Sequence, residues 1–561
     1  MKQPRARLQA AAPAVLALLL LTTAGCQGII CLADPDEEHL CEPQGDVRDE
    51  FLQVSDPIQY DEGVAYRVEA AHNVTLLETL HDTGKVSQVA LPGRPTIVLP
   101  TPDKTRLVAL APKAASLTIF TASNPSQRED YDLGSPFTAV NLSDDGRFAI
   151  AWFAPGSTSD LIVRNNNEMA IVDLGRPACP AGDDTCAANP QLIPLRSLGS
   201  RPFRVEFAPS FTMRGVERRV AMIMSEGYVT LLELDGFDPE SPNLNEKVVR
   251  FSQGNADIIP VPLKVVWTDD DPADDDDFFA FVLTRGSDDI IGLNLLPGED
   301  VDALDRPRIS PSLNQLTAGR TPVDIQVYRD RQGARKLLAL NQRSQDLSVI
   351  DVATSDTVHV PLEEYVTTIQ LYDAVNSDTD RTEQFALLYA NDSNGRSLLF
   401  VELETVEVRR TRAIKPLHLD RGLTDFRMTD AVGDVPRAVI LHAGGGAISI
   451  LNLERRFVTP LDVSSTISDY TFANEETLLT VLSGQPYITF IDLQTGHPSL
   501  VELDHPAQSV RVVKETNSVI IDHGQQLGAV TIMRLDRPSR GEATTLYGFA
   551  AHDLFELEDP R

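Results

Sequence analysis

Short apolar runs separated by polar turns fill most of the chain. One pattern recurs at the end of such runs: aliphatic, acid or amide, aliphatic. Its clearest copy is Ile350-Asp351-Val352. The others are Val172-Asp173-Leu174, Leu232-Glu233-Leu234, Leu293-Asn294-Leu295, Val401-Glu402-Leu403, Leu451-Asn452-Leu453 and Ile491-Asp492-Leu493, with degenerate copies around Thr121 and Arg534. These nine copies recur at a mean spacing of about 52 residues, and the last two intervals, 40 and 42 residues, mark the uninserted unit.

Each unit has one grammar: an apolar strand, a polar turn, a second apolar strand, a Gly/Asn/Ser turn, then the strand carrying the pattern. In the fifth unit these strands are Val323 to Tyr328, Lys336 to Leu340 and Leu347 to Val352. Strands such as Leu337-Leu338-Ala339-Leu340 and Phe281-Val282-Leu283 are apolar on both faces, so the sheets are covered on both sides. No segment carries a long capped 3.6-residue pattern, so few helices are expected. Small antiparallel sheets repeated and packed face to face describe an all-β chain, a β-propeller. The repeat is too long for a β-solenoid and too regular for two stacked sandwiches. Nine units lie between about Pro95 and Leu557, and Ala65 to Leu91 adds another or contributes to the closing blade. Because single propellers typically have about 4 to 8 blades, the expectation is a single ring of about eight, within a range of seven to nine.

The run Leu337 to Asn341, then Ser344, then Leu347-Ser348-Val349-Ile350-Asp351-Val352-Ala353-Thr354 resembles the YVTN repeat of lactonase-like β-propellers. Tyr487 to Leu493, followed by Thr495-Gly496, repeats it more loosely. The resemblance implies architecture over most of the chain and names no reaction.

The N-terminus reads differently. Lys2, Arg5 and Arg7 precede an apolar stretch from Leu8 to Leu21, interrupted only by Gln9 and Pro13 and too short for a retained span. Thr23-Ala24-Gly25-Cys26 resembles the bacterial lipobox, with Thr23 in place of the usual Leu; the alternative is ordinary signal-peptidase cleavage nearby. The expected layout is a lipoprotein signal peptide at 1–25, lipidation at Cys26, a flexible acidic tether over 26–56 and the propeller over 57–561. Gln27, where Asp would favour inner-membrane retention, points to an outer-membrane lipoprotein, periplasmic or surface-facing. Lipidation leaves an even remainder, Cys31, Cys41, Cys179 and Cys186. Two disulfides are expected in an oxidising compartment, and local pairing is the simplest of three connectivities. Neither pair has C-x-x-C spacing, and His39 is the only histidine nearby, so a metal role for these thiols is disfavoured.

The chain has 561 residues, 42% of them hydrophobic, and a net charge of -33, which loss of Lys2, Arg5 and Arg7 takes further negative. Such a surface repels polyanions, which excludes nucleic acid and bare anionic head groups as partners. Nucleophile elbows, H-E-x-x-H, P-loops and paired C-x-x-C are absent, and His442-Ala443-Gly444-Gly445-Gly446 reads as a hairpin turn. Carboxylates crowd the loops between first and second strands: Asp144 and Asp145; Asp269, Asp270, Asp271, Asp274, Asp275, Asp276 and Asp277; Asp378, Asp380 and Glu383; Asp430 and Asp434; Glu475 and Glu476. They are expected to share one rim, a candidate site for calcium or a basic partner protein, although a solubilising face is the favoured reading. The Asp269–Asp277 run lacks EF-hand spacing. The leading expectation is a non-catalytic, membrane-anchored propeller that binds or scaffolds an envelope protein. A lactonase-like hydrolase with Asp324 and Arg427 in a central channel, and a periplasmic sensor or carbohydrate-binding module, are the alternatives. Aromatic content of 6% gives the last little support.

Overall fold

The computed structural model describes residues 57–547, apart from 68–71, 80–83, 158–162, 164, 180–182, 184–185, 197, 238–243, 252–258, 270–277, 303, 377–380, 430–434, 464 and 524–528. The segments expected to be signal peptide and tether, with Cys26, Cys31 and Cys41, lie outside the described residues.

Ten four-stranded antiparallel sheets follow one another along the chain. We number these blades 1 to 10. They begin with the strands Ile58–Tyr60, Ile97–Pro100, Ala139–Leu142, Pro202–Phe207, Val261–Asp269, Pro322–Arg329, Thr368–Asn376, Leu423–Met428, Ile467–Phe472 and Ser509–Val513. Blade 4 also carries an inserted hairpin, Phe211–Met213 with Val216–Arg218. The protein is a ten-bladed β-propeller, which corrects the expected eight. All nine recurring patterns mark the third strand of a real blade, 2 to 10, and Ala65 to Leu91 belongs to blade 1. No unit was false, and the ring exceeds the common range.

Two-faced apolar strands are explained by how the blades stack. Alternate residues along a strand point to opposite faces. In blade 6, Leu337 and Ala339 pack with Phe281 and Leu283 of blade 5, while Leu338 and Leu340 pack with Ile369 and Leu388 of blade 7. Each of ten core clusters joins one adjacent pair of blades. The tenth closes the ring: Val64, Tyr66 and Leu77 of blade 1 meet Val513, Ile520, Val530 and Ile532 of blade 10. Every blade is built from consecutive strands, so no strand crosses this seam. Two polar contacts reinforce it, Gln59 Nε2 to the Val512 carbonyl at 2.7 Å and Thr79 Oγ1 to Thr516 Oγ1 at 2.8 Å.

In blades 6, 8 and 9 the acid or amide of the recurring pattern shapes the turn after the third strand. Asp351 accepts the N–H groups of Ala353 and Thr354, and Asp492 those of Gln494 and Thr495. Asn452 accepts from Arg455. Four residues beyond each, Ser355, Arg456 and Gly496 take positive φ and return an N–H to the Asp351, Asn452 and Asp492 carbonyls. At these three positions the motif is a local hydrogen-bonding device built on a short side chain with an acceptor oxygen, whereas Asn294 lies mid-strand and Glu233 accepts the Ile309 N–H of blade 5.

Candidate functional site

The first strand of each blade lines the centre of a propeller, and here five of these strands share a distortion. Register shifts occur between Pro202 and Arg204, Pro262 and Lys264, Pro322 and Asp324, Leu423 and Asp425, and Ile467 and Asp469. Each bulge ends on a charged residue, re-aimed away from the regular pleat.

Among the described residues these charges lace five of the ten junctions, 4 to 5, 5 to 6, 6 to 7, 8 to 9 and 9 to 10. Arg204 reaches the Leu263 carbonyl at 2.8 Å. Lys264 donates to Asp324 Oδ1 at 2.6 Å and to the Ile325 carbonyl at 3.1 Å. Asp324 also accepts the N–H of Ile325 and, across the junction, the N–H of Ile369 at 2.7 Å. Asp425 accepts from the Tyr470 hydroxyl at 2.9 Å and from Arg427 at 3.0 Å. Arg427 donates onward to the Tyr470 carbonyl at 2.8 Å and lies over the Tyr470 ring at 4.1 Å. Asp469 takes the N–H groups of Tyr470 and Val510 and the Arg511 guanidinium at 2.6 Å. Burial pushes the Tyr470 phenol well up, against the lowering effect of Arg427 and with Asp425 and Asp469 adding to it, so this hydroxyl stays the protonated donor to Asp425.

Asp324 and Arg427, the two channel candidates, therefore both belong to this inter-blade belt. They sit on blades 6 and 8 and do not converge. Sequence reasoning missed Lys264, Asp425, Asp469, Tyr470 and Arg511. A usable signal existed in Pro-x-charged at 202–204, 262–264 and 322–324.

The second surface is the loop face. First-to-second and third-to-fourth strand turns emerge on the same side in every blade, because successive strands are antiparallel. Of the acidic rim, Asp144, Asp145, Asp269, Glu475 and Glu476 are described and exposed. Asp145 is engaged: burial acts to raise its pKa, but hydrogen bonds from Ser143, Arg219 and the Arg147 N–H outweigh it and hold the carboxyl low. Glu383 does not join the rim; it is buried in the second strand of blade 7, bonded to Asn376 and paired with Arg331. Asp270, Asp271, Asp274, Asp275, Asp276, Asp277, Asp378, Asp380, Asp430 and Asp434 lie outside the described residues. Among the described residues no three His, Cys, Asp or Glu side chains are grouped to hold a metal ion.

Cys179 and Cys186 form a disulfide in the third-to-fourth strand connection of blade 3. Beside it, a cavity of about 410 Å³ between blades 3 and 4 is lined by buried Phe148, Ile171, Leu234 and Asp173 and by exposed Arg147 and Arg176. Its charges neutralise one another, Asp173 pairing with Arg176 at 2.9 Å and Arg147 at 3.5 Å. The His442 to Gly446 segment is the hairpin turn between Arg437–His442 and Ala447–Asn452.

No protein-family model and no curated protein sequence matches the chain. Among solved structures it is similar to the dihydro-heme d1 dehydrogenase NirN in complex with DHE, with a TM-score of 0.39 and 12% identity over 74% of this chain and 76% of that one. It is also similar to BBS1N in complex with ARL6DN, with a TM-score of 0.29 and 9% identity over 59% and 92%. The Kuenenia stuttgartiensis hydrazine synthase gives 0.26 and 13% over 73% and 95%. Likeness at this level carries no functional argument, and the propeller rests on the chain's own strand order.

Proposed function

We propose that this chain is a non-catalytic propeller of the YVTN-like type, anchored through a lipid on Cys26 to the outer membrane, that holds a partner protein in the cell envelope. The observation that carries the reading is the belt. Asp324 and Arg427, the charged side chains expected in a channel site, are engaged in joining blades, which supports reading the ring as a support whose loops and outer edges are the surfaces on offer. The lipobox-like Thr23 to Cys26 and Gln27 support the address. A tether of roughly 30 residues has a root-mean-square reach of about 30 Å, enough to orient the ring freely.

Two measurements test it. Radiolabelled palmitate should enter the wild-type chain and not Cys26→Ser, which should leave the membrane fraction. Cross-linking in native membranes followed by affinity capture should return a discrete protein at defined stoichiometry; its absence with several cross-linkers would refute the holding role.

A further inference from the structure

Blade 5 ends in an outer strand unlike the others. Pro307–Thr317 has 11 residues, paired with the 13-residue strand Asp289–Val301. The outermost strands of the other nine blades have 4 to 6 residues. Most of those carry a charge, the device by which proteins blunt a free edge. From Ile309 to Thr317 blade 5 has none, and its last proline is Pro311.

The direction of its backbone groups follows from the ladder. Thr317 lies opposite Asp289, and the next residue, Ala318, donates its N–H to the Asp288 carbonyl. Even-numbered residues therefore bond inward and odd-numbered ones point outward. Three facts agree: Ile309 donates outward to Glu233 of blade 4 at 2.9 Å, the Thr317 carbonyl accepts from Thr357 of blade 6 at 3.0 Å, and Pro311, which has no N–H, is odd. Between those two anchors, the N–H and C=O of Leu313 and Gln315, the Pro311 carbonyl and the Thr317 N–H face outward and make no hydrogen bond to a described residue; Leu313, Gln315 and Thr317 are exposed and Pro311 is half-buried. Leu313 is 39% exposed. Such a row templates an added strand, with backbone bonds giving affinity and alternate side chains giving selectivity.

Charge defines the occupant. The described residues of 261–317 include 7 acidic residues against 4 basic ones, with Asp288 and Asp289 at one end of the edge and Glu299 and Asp300 near the other. We infer that the outer strand of blade 5 is a docking edge that accepts an extended segment of the partner protein, uncharged where it pairs and flanked by lysine or arginine. This rests on the partner-binding reading above and names its surface.

The probe is a synthetic peptide of alternating valine and threonine with two lysines at each end, titrated into the full chain by fluorescence anisotropy. Binding should be accompanied by slowed amide exchange at Leu313, Gln315 and Thr317. Leu313→Pro removes an outward N–H while leaving the inward ladder intact, the place in a sheet where proline is tolerated, and should weaken the peptide at least tenfold. A probe N-methylated at alternate residues should lose affinity equally, which tests the same bonds if the variant perturbs folding. Replacing the lysines by glutamates should abolish binding. No binding to the wild type, equal binding to Leu313→Pro and to the N-methylated probe, or exchange protection elsewhere would overturn the inference. If envelope capture still returns a partner with Leu313→Pro as bait, the holding role stands and the edge is wrong; if capture fails with wild type, the holding role itself fails.

Discussion

Nine of the ten blade junctions are crossed by the chain, and the seam between blades 1 and 10 is not. Its integrity depends on packing around Val64, Tyr66 and Leu77 and on two polar contacts. The Thr79 and Thr516 hydroxyls are 2.8 Å apart and separated by 437 residues of chain. Replacing both by cysteine would tie the ring covalently. The chain-entropy relation for a loop of that length gives about 6 kcal/mol at 25 °C, whereas introduced disulfides usually deliver about 2–4 kcal/mol. Unfolding entropy of about 2.1 cal/mol/K per residue, over a domain of this size, sums to roughly 1 kcal/mol/K, so the oxidised double variant should melt only about 2–4 °C higher.

Hydrogen exchange is the sharper assay, because an unbridged seam should open before the rest of the ring. In the wild type, amides of Gly63–Arg67 and Ser518–Asp522 should exchange faster than those of Arg335–Asn341 in blade 6, and the oxidised cross-link should abolish the difference. Leu77→Ala, which removes a fully buried side chain from the seam, should cost about 2–5 kcal/mol and widen it. The wild-type chain under the same oxidant and reductant subtracts whatever its own cysteines contribute. Uniform exchange around the wild-type ring, or an oxidised variant no more stable than its reduced form, would refute the idea that the seam limits stability.

Other consequences are quicker to check. Asp351→Ala removes the acceptor for two backbone N–H groups and should cost about 1–2 kcal/mol by urea denaturation, with Asp351→Asn recovering most of it. Burial pulls the His442 and His523 imidazoles below their ordinary pKa, so the unfolded chain binds their protons before the folded one as pH falls below about 6.5. Stability should therefore drop between pH 7.5 and 5.5, and drop less in His442→Gln/His523→Gln; equal slopes would exclude these groups. Calorimetry with calcium at physiological ionic strength tests the acidic rim, and neither heat nor a melting shift would remove the metal version of that site.

Hydrophobic patterning made most of the fold legible. The strands placed at Val323 to Tyr328, Lys336 to Leu340 and Leu347 to Val352 are observed as Pro322–Arg329, Arg335–Asn341 and Asp346–Asp351. The ring size was mistaken because a general range of blade numbers was set above a direct count. Blade 1 was hard to count because its third strand ends in Leu77-Glu78-Thr79, where a threonine replaces the second aliphatic residue. Local pairing was legible for Cys179 and Cys186, seven residues apart, since short spacing brings cysteines together without help from the fold. The belt was not legible, because its partners are about 40 to 60 residues apart and meet only once blades stack, as Lys264 meets Asp324 and Asp469 meets Arg511. The 11-residue edge was hidden by Pro297-Gly298-Glu299, which reads as a turn although the strand runs on to Val301.

Ring size and belt chemistry are linked. Adding blades to a ring makes each wedge narrower and moves the first strands away from the axis, so side chains from opposite blades cannot meet and fill the centre. Polar groups on these strands must then find partners along the circumference, in the neighbouring blade. Lys264, Asp324, Asp425, Arg427, Asp469 and Arg511 do this, and each of the five bulges re-aims a charge that bonds to the next blade. Charge on an innermost strand is therefore weak evidence for chemistry in a large propeller. In a small ring the same residues would face one another; in this one, Asp324 accepts the Ile369 N–H of the next blade.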